Sequence, residues 1–201
     1  ALTQRAGLLT FGHEYLRAAV HRRWLPNEAA ARPFRLQLAD YFGKIPDPTD
    51  RTLDELPALL RDTEQWEYLK DLLADLLTFL RLRGRERWKW ELHGYWLALE
   101  GHCDPGEAYG QALASVELKL TPEQLADLLN KVALFHHDAG RYAGAEPLYR
   151  RAWEVSERVL GPEHPDTLTI VNNLAGLLHR YGDYAGAEPL YRRAWEVSER
   201  V

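Results

Sequence analysis

Residues 142–159 read YAGAEPLYRRAWEVSERV, and the same eighteen letters return without a change at residues 184–201. The two copies start 42 residues apart, a period within the range of helix-pair repeat arrays. Apolar residues recur three or four positions apart in each copy, which predicts one amphipathic helix per copy. These residues are Ala145, Leu148, Tyr149, Ala152, Val155 and Val159, and their counterparts are Ala187, Leu190, Tyr191, Ala194, Val197 and Val201.

A second amphipathic stretch precedes each copy, at residues 124–139 and 167–181. Gly140 and Gly182 follow these stretches directly, as is typical of glycines that end helices. Each unit is therefore predicted to be a helix, a tight turn and a second helix. Because one helix pair cannot bury its apolar face alone, we expect the units to stack into a solenoid.

The small, aromatic and glycine positions of both units resemble a tetratricopeptide repeat (TPR), in the 42-residue form of kinesin light chains and nephrocystin-like proteins. The stretches NNLAGLL, GDYAGAEPLYRRA and LGPEHPDT carry this resemblance, which covers residues 121–201. It implies an all-α fold of antiparallel helix pairs stacked into a right-handed superhelix. The repeat-packing positions that it implies are Ala133, Gly140, Tyr142, Ala145, Tyr149, Ala152, Ala175, Gly182, Tyr184, Ala187, Tyr191 and Ala194.

The same resemblance implies that the first helix of each pair lines a concave face, and that this face takes a peptide or protein segment. At helical spacing, the candidate groove residues are Asn130, Leu134, His137 and Asp138, with the equivalents Asn172, Gly176, His179 and Arg180. An asparagine amide both donates and accepts hydrogen bonds, so it suits a peptide backbone of any sequence. The alternative is that Asn130 and Asn172 cap loops or bond to neighbouring helices.

The preceding region, residues 51–120, is predicted to form two degenerate helix pairs that lead into the repeats. The predicted helices are 51–63, 65–83, 85–101 and 105–120. The stretch FGKIPDPTD at 42–50 is a proline-rich break and the expected domain boundary.

The stretch LLTFGHEYLRAAV near the start of the chain, with the residues that follow to about 80, resembles the region after the nucleotide-binding module of nephrocystin-like STAND signalling NTPases. This resemblance implies a strand at 8–11 and a helix at 14–24, within the tail of a winged-helix region at 1–45. It also implies that the repeats are the sensor arm of a larger protein. The phosphate loop G-x-x-x-x-G-K-[ST] is absent from these letters, so no nucleotide hydrolysis is expected of them.

Composition narrows the possible functions. The net charge is −5, which argues against broad binding to nucleic acid or acidic membranes. One cysteine, Cys103, excludes an internal disulfide and fits the reducing cytoplasm, and no apolar run reaches the length of a membrane span. Because residue 1 is Ala and the sequence contains no Met, we expect a piece of a longer protein, ending at Val201 within a longer array.

Three further features of the sequence do not indicate a site. His136, His137 and His179 do not suit one metal ion, since adjacent helical residues point about 100° apart. The basic run RLRGRERWKWE at 81–91 contains Trp88 and Trp90, but it is interpreted as a solvated start of a helix whose Leu92, Tyr95, Trp96 and Leu99 form core. No acid–base partner for Cys103 is evident. The sequence predicts no cofactor, no metal and no catalytic residue.

Three hypotheses follow. The first is a protein-interaction module, not an enzyme, that binds its partner in the concave groove. The second is a structural spacer, or a module that self-associates by homotypic stacking through its C-terminal repeat. The third is a single-stranded nucleic-acid binder that uses residues 81–91, which the acidic net charge opposes.

Overall fold

The computed structural model of the chain describes residues 2–5, 8–11, 14–84 and 86–198. The chain forms two compact units: an N-terminal unit (1–73 and 78–102) and a repeat unit (74–77 and 103–201). In chain order, the elements are β1 Leu2–Arg5, β2 Leu8–Phe11, α1 Glu14–Trp24, α2 Glu28–Gly43, α3 Asp50–Asp62, α4 Trp66–Ala74, α5 Leu76–Arg83, α6 Glu86–Ala98, α7 Pro105–Val116, a 3-10 turn Glu117–Lys119, α8 Pro122–Asp138, α9 Tyr142–Leu160, α10 Pro165–Tyr181 and α11 Tyr184–Ser198. The expectation of an all-α helical repeat fold is confirmed. Within the described residues, no helix combines the length and apolar character needed to cross a membrane.

Two short strands near the start of the sequence pair with each other. β1 pairs with β2 in antiparallel register, with Leu2 opposite Phe11 and Arg5 opposite Leu8. The strand at 8–11 and the helix at 14–24 confirm the sequence-based prediction. The partner strand β1 was not predicted.

The helices α2 and α3 begin at side-chain caps. The Asn27 side chain accepts a hydrogen bond from the backbone N–H of Ala30, and Thr49 and Thr52 exchange side-chain and backbone hydrogen bonds as a capping box. α2 packs against α3, and Phe42 of α2 and Leu53 of α3 are both buried.

The single helix predicted for 65–83 was wrong. Two helices, α4 and α5, occupy this stretch and are separated at Asp75. The apolar pattern continues across the break, which is why periodicity alone predicts one helix. Aspartate favours the position just before a helix, because its carboxylate competes for backbone N–H groups.

The basic run at 81–91 ends within the first half of helix α6. Leu92, Tyr95, Trp96 and Leu99 are buried, as expected of a core face. Trp90 is 81% exposed, whereas the side chain of Trp88 lies outside the described residues.

The repeat unit contains the two predicted helix pairs, α8–α9 and α10–α11. Thr121 caps α8 through a capping box with Gln124. Gly182 ends α10 in the left-handed conformation, with a φ of 89°. The tight turn to α11 follows at once, as the sequence predicts.

Helices α9 and α11 share the repeated sequence but have different surroundings. Tyr149 of α9 is fully buried, in one apolar cluster with Leu174, Leu177 and Leu178 of α10. The buried hydroxyls of Ser156 in α9 and Thr167, just inside α10, lie 2.7 Å apart and form a hydrogen bond across the same junction. On α11, the tyrosine that corresponds to Tyr149 is Tyr191, which is 38% exposed.

This difference predicts unequal costs for the same substitution. Tyr149→Ala should lower the free energy of unfolding of the repeat unit by about 3–5 kcal/mol, the usual range for removing a large buried side chain. Tyr191→Ala in the identical local sequence should cost less, because part of that ring already contacts water. Urea denaturation of both variants followed by circular dichroism measures the difference. Equal costs would contradict the assigned packing.

Candidate binding face of the repeat unit

The outward sides of α8 and α10 form the candidate groove face. Asn172, His179 and Arg180 of α10 are exposed, as is Asp138 of α8. Asn130 and His137 of α8 are partly buried. The exposed members of this set lie away from the core, and their part in ligand binding stays a prediction.

Leu134 and Gly176, the remaining candidate groove residues, lie closer to the packed interior. Leu134 is partly buried against the apolar cluster around Tyr149. A Cβ atom built at Gly176 would lie 3.5 Å from the Tyr191 hydroxyl oxygen, so this glycine borders α11. Both residues therefore lie between the helices, beneath the candidate groove face.

An asparagine pair connects the two repeats on this face. The side-chain Nδ2 of Asn173 donates to Oδ1 of Asn130 at 3.0 Å. The sequence predicted that Asn130 and Asn172 stack one repeat apart, but the direct partner of Asn130 is Asn173, the next residue along α10. The bond orients the Asn130 amide, while Asn172 remains exposed to solvent.

A depression of about 200 Å³ opens beside this pair. Its walls come from both repeats and include three carboxylates at the N-terminal ends of α8 and α10. The lining residues are Glu123, Ala126, Asp127, Asn130, Ser156, Leu160, Asp166, Thr169 and Ile170. Lys131 forms an ion pair of 2.6 Å with Asp127, which neutralises part of this charge.

His137 lies near the opposite end of the face, between aromatic rings of its own repeat. Its ring centroid is 5.7 Å from that of Tyr142 and 6.3 Å from that of Tyr149. Its Nδ1 atom is buried and has no hydrogen-bond partner within the described part of the chain. Burial lowers the pKa of the His137 imidazole, and the Arg180 guanidinium lowers it further, while Asp138 acts in the opposite direction.

His179 repeats this arrangement in the second unit. Its ring centroid lies 5.0 Å from that of Tyr184 and 6.5 Å from that of Tyr191. His179 and Tyr184 are nevertheless exposed, because α11 is not covered as α9 is. The histidines at position 137 and its equivalent are thus part of the repeat's aromatic packing.

Sequence reasoning missed two further residues, Asn173 and Arg193, each of which makes a contact between repeats. The Asn173 side chain bonds to Asn130, although its equivalent in the first unit is Lys131. The Arg193 guanidinium stacks 5.4 Å from the Trp153 ring centroid and pairs with Glu157 of the preceding repeat. The repeated stretch marks Arg193 as a residue present in both repeats. Its partner could not be read from the sequence, because the partner depends on how α11 lies against α9.

Among the described residues, no group of three or more His, Cys, Asp and Glu side chains has an arrangement that could hold a metal ion. His136, whose neighbour His137 faces the tyrosines, is buried and packs edge-on against Tyr109 and Phe135. The two adjacent histidines therefore take different environments.

Comparison with known proteins identifies the repeat. A family model described as tetratricopeptide repeat matches residues 124–200. Nephrocystin-3 of Mus musculus is 30% identical over 171 residues, 82% of this chain and 13% of that protein. A TPR repeat-containing protein of Dictyostelium discoideum is 24% identical over 169 residues, 77% of this chain and 10% of that protein. The chain thus spans only 10% to 13% of the length of these two relatives.

Two further similarities are more limited. A nucleotide-binding leucine-rich repeat (NLR)-like protein of Hyaloscypha variabilis is 42% identical over 50 residues, 25% of this chain and 5% of that protein. Among solved structures, a putative kinesin light chain of Podosopora anserina with nearly identical TPR-like repeats is 17% identical, with a TM-score of 0.49. The aligned region covers 94% of this chain and 98% of that one.

The environment of His137 predicts a pH dependence of stability. Because the pKa of His137 is lowered from 6.5 in the folded state, the unfolded chain binds more protons just below that pH. The folded state should therefore lose stability as the pH falls through 6.5 towards the folded pKa. His137→Phe keeps an aromatic ring without a titrating group, so its unfolding free energy should fall less between pH 7.5 and about 5.5.

Urea midpoints measured across this pH range check the prediction. His179→Phe is the matched control, because His179 occupies the equivalent position but is exposed. If His137→Phe and the unmodified chain lose stability in parallel, His137 does not contribute to the pH dependence.

Proposed function

Because residues 124–200 belong to the tetratricopeptide repeat family, we propose that the chain is a protein-interaction module whose groove face binds a peptide or an extended protein segment. Asn130, Asn172, His137, His179 and Arg180 are the side chains proposed to carry recognition. The role is binding rather than catalysis, and it needs neither cofactor nor metal. A reducing cytoplasm suits a chain with the single cysteine Cys103.

The asparagine arrangement is the observation that supports this proposal most directly. Asn130 and Asn172 occupy the same position one repeat apart, on a face turned to solvent. Asn173 holds the Asn130 carbonyl oxygen, so the Nδ2 donor of Asn130 keeps a defined direction. An ordered side chain loses less conformational entropy when a ligand binds, which favours affinity.

The charges along the face suggest how a ligand would lie. The depression at the N-terminal ends of α8 and α10 is acidic, with Glu123, Asp127 and Asp166 in its walls. Arg180 lies at the C-terminal end of α10. We therefore expect a segment that places a cationic residue near Asn130 and an anionic residue near Arg180, since opposite charges orient a partner.

We also propose that the module is the sensor arm of a larger STAND-type signalling NTPase. The LLTFGHEYLRAAV stretch and the similarity to an NLR-like protein over 50 residues support this placement. In that arrangement, capture of a ligand by the repeats would control the nucleotide-binding part of the larger protein.

A structural spacer or self-association module is the alternative. The exposed aromatic residues Tyr184 and Trp195 of α11 favour a homotypic contact over an inert spacer. Light scattering at increasing concentration distinguishes a spacer from a self-association module. The measured mass of a spacer stays that of a monomer, whereas the mass of a self-associating chain rises with concentration.

The groove proposal is tested with peptides selected from a random displayed library against the unmodified chain. Asn130→Ala combined with Asn172→Ala should raise the dissociation constant of groove-bound peptides roughly tenfold or more. The reason is the loss of two hydrogen bonds worth about 0.5–1.5 kcal/mol each. Isothermal titration calorimetry measures the change.

The matched control is Glu154→Ala combined with Glu196→Ala. These exposed glutamates also lie one repeat apart, but on the second helices. Equal affinities for the asparagine variant and the glutamate control would place recognition away from the groove face.

A further inference from the structure

The imidazole ring of His137 is held among aromatic rings at the C-terminal end of the groove face. Tyr142 and Tyr149 of α9 contact it edge-on, with ring centroids 5.7 Å and 6.3 Å away. Its buried Nδ1 atom has no hydrogen-bond partner within the described part of the chain. A second proton on this ring would therefore create a positive charge at a site where one ring nitrogen has no contact with water.

Two charged side chains act on this ring from different helices. Asp138 follows it on α8, and Arg180 belongs to the last turn of α10. The end of α10 lies against the same site, because the ring centroids of Tyr181 and Tyr142 are 6.3 Å apart. Burial lowers the pKa of His137 most, Arg180 lowers it further, and Asp138 raises it. The tyrosines of α9 add no charge near neutral pH.

An anionic ligand group at Arg180 would change this balance. The proposed function places an anionic residue of the bound segment there. Its carboxylate would offset the guanidinium charge and would itself attract an imidazolium ion. Binding would then raise the pKa of His137, and by linkage a ligand that favours the protonated ring binds more tightly when protons are abundant.

We propose that capture of an anionic segment by the groove is coupled to the uptake of a proton by His137, so that acidification strengthens binding. This inference rests on the proposed function, since it concerns the same groove. It gives the two equivalent histidines different parts: His137 carries the coupling, whereas the exposed His179 does not. Since the pKa of His137 in the free chain lies below 6.5, the coupling appears as the pH falls through that value.

Titration calorimetry in buffers of different ionisation enthalpy measures the protons taken up. The probe is an acidic groove-bound peptide from the displayed library, titrated into the full chain at pH 6.0 and pH 7.5. The heat of binding should depend on the buffer at pH 6.0, with the sign of proton uptake, and should depend on it less at pH 7.5. The affinity should be about fivefold higher at pH 6.0, the low end of the usual coupling between two sites.

Matched variants identify the group that takes up the proton. His137→Phe keeps an aromatic ring and should abolish the uptake, whereas His179→Phe should retain it. A form of the peptide with Gln and Asn in place of Glu and Asp should bind without uptake. His102→Phe should change neither the affinity nor the uptake, because His102 is an exposed residue of the N-terminal unit.

A second measurement needs no peptide. Nuclear magnetic resonance follows the His137 ring through a pH titration of the free chain. Arg180→Glu replaces an exposed cation with a carboxylate and so imitates the ligand charge. It should raise the pKa of His137, and it should do so by more than Arg180→Gln.

The outcomes separate this coupling from the groove itself. Proton uptake that persists in His137→Phe would overturn the proposal, and so would a pKa of His137 that Arg180→Glu does not raise. If the two asparagine substitutions weaken the peptide but its binding heat is the same in every buffer, the groove function stands and the coupling is wrong. If those substitutions leave the affinity unchanged, the groove function is wrong and the coupling fails with it.

Discussion

The burial of Tyr149 beneath the leucines of α10 is the contact on which the repeat unit depends. A pair of short helices cannot exclude enough water from its apolar surface to be stable alone. Tyr149 is large, and it is fully buried only because the following repeat supplies Leu174, Leu177 and Leu178. The stability of each repeat is therefore partly a property of its neighbour.

The candidate groove is a consequence of the same contact. Once one face of α10 packs on α9, helical geometry turns Asn172 and Arg180 to the opposite side. The hydrogen bond between Asn173 and Asn130 then connects α10 to α8 on the polar side. The leucines of α10 connect it to α9 on the apolar side. A change in the crossing of α8 and α10 would separate this pair, so the packing of these helices sets the geometry of the candidate groove.

The two histidines show how a repeated sequence acquires different properties. His137 and His179 each pack against the two tyrosines of their own repeat. His137 lies beneath a following repeat, and its pKa is lowered by burial and by Arg180. His179 lies at the uncovered end and is exposed to water. The difference comes from neighbours that are distant in sequence.

Local physics was sufficient to predict the repeat helices and their ends from the sequence. Period, apolar spacing and the glycines Gly140 and Gly182 predicted α8 to α11, because helices are governed by contacts between near neighbours in the chain. The break at Asp75 escaped the same reasoning, since the apolar pattern runs through it. Only the tertiary structure decided which asparagine bonds to Asn130, and which copy of the repeated stretch is covered. Identical letters cannot encode different surroundings, because burial depends on what packs against a helix and not on the helix alone.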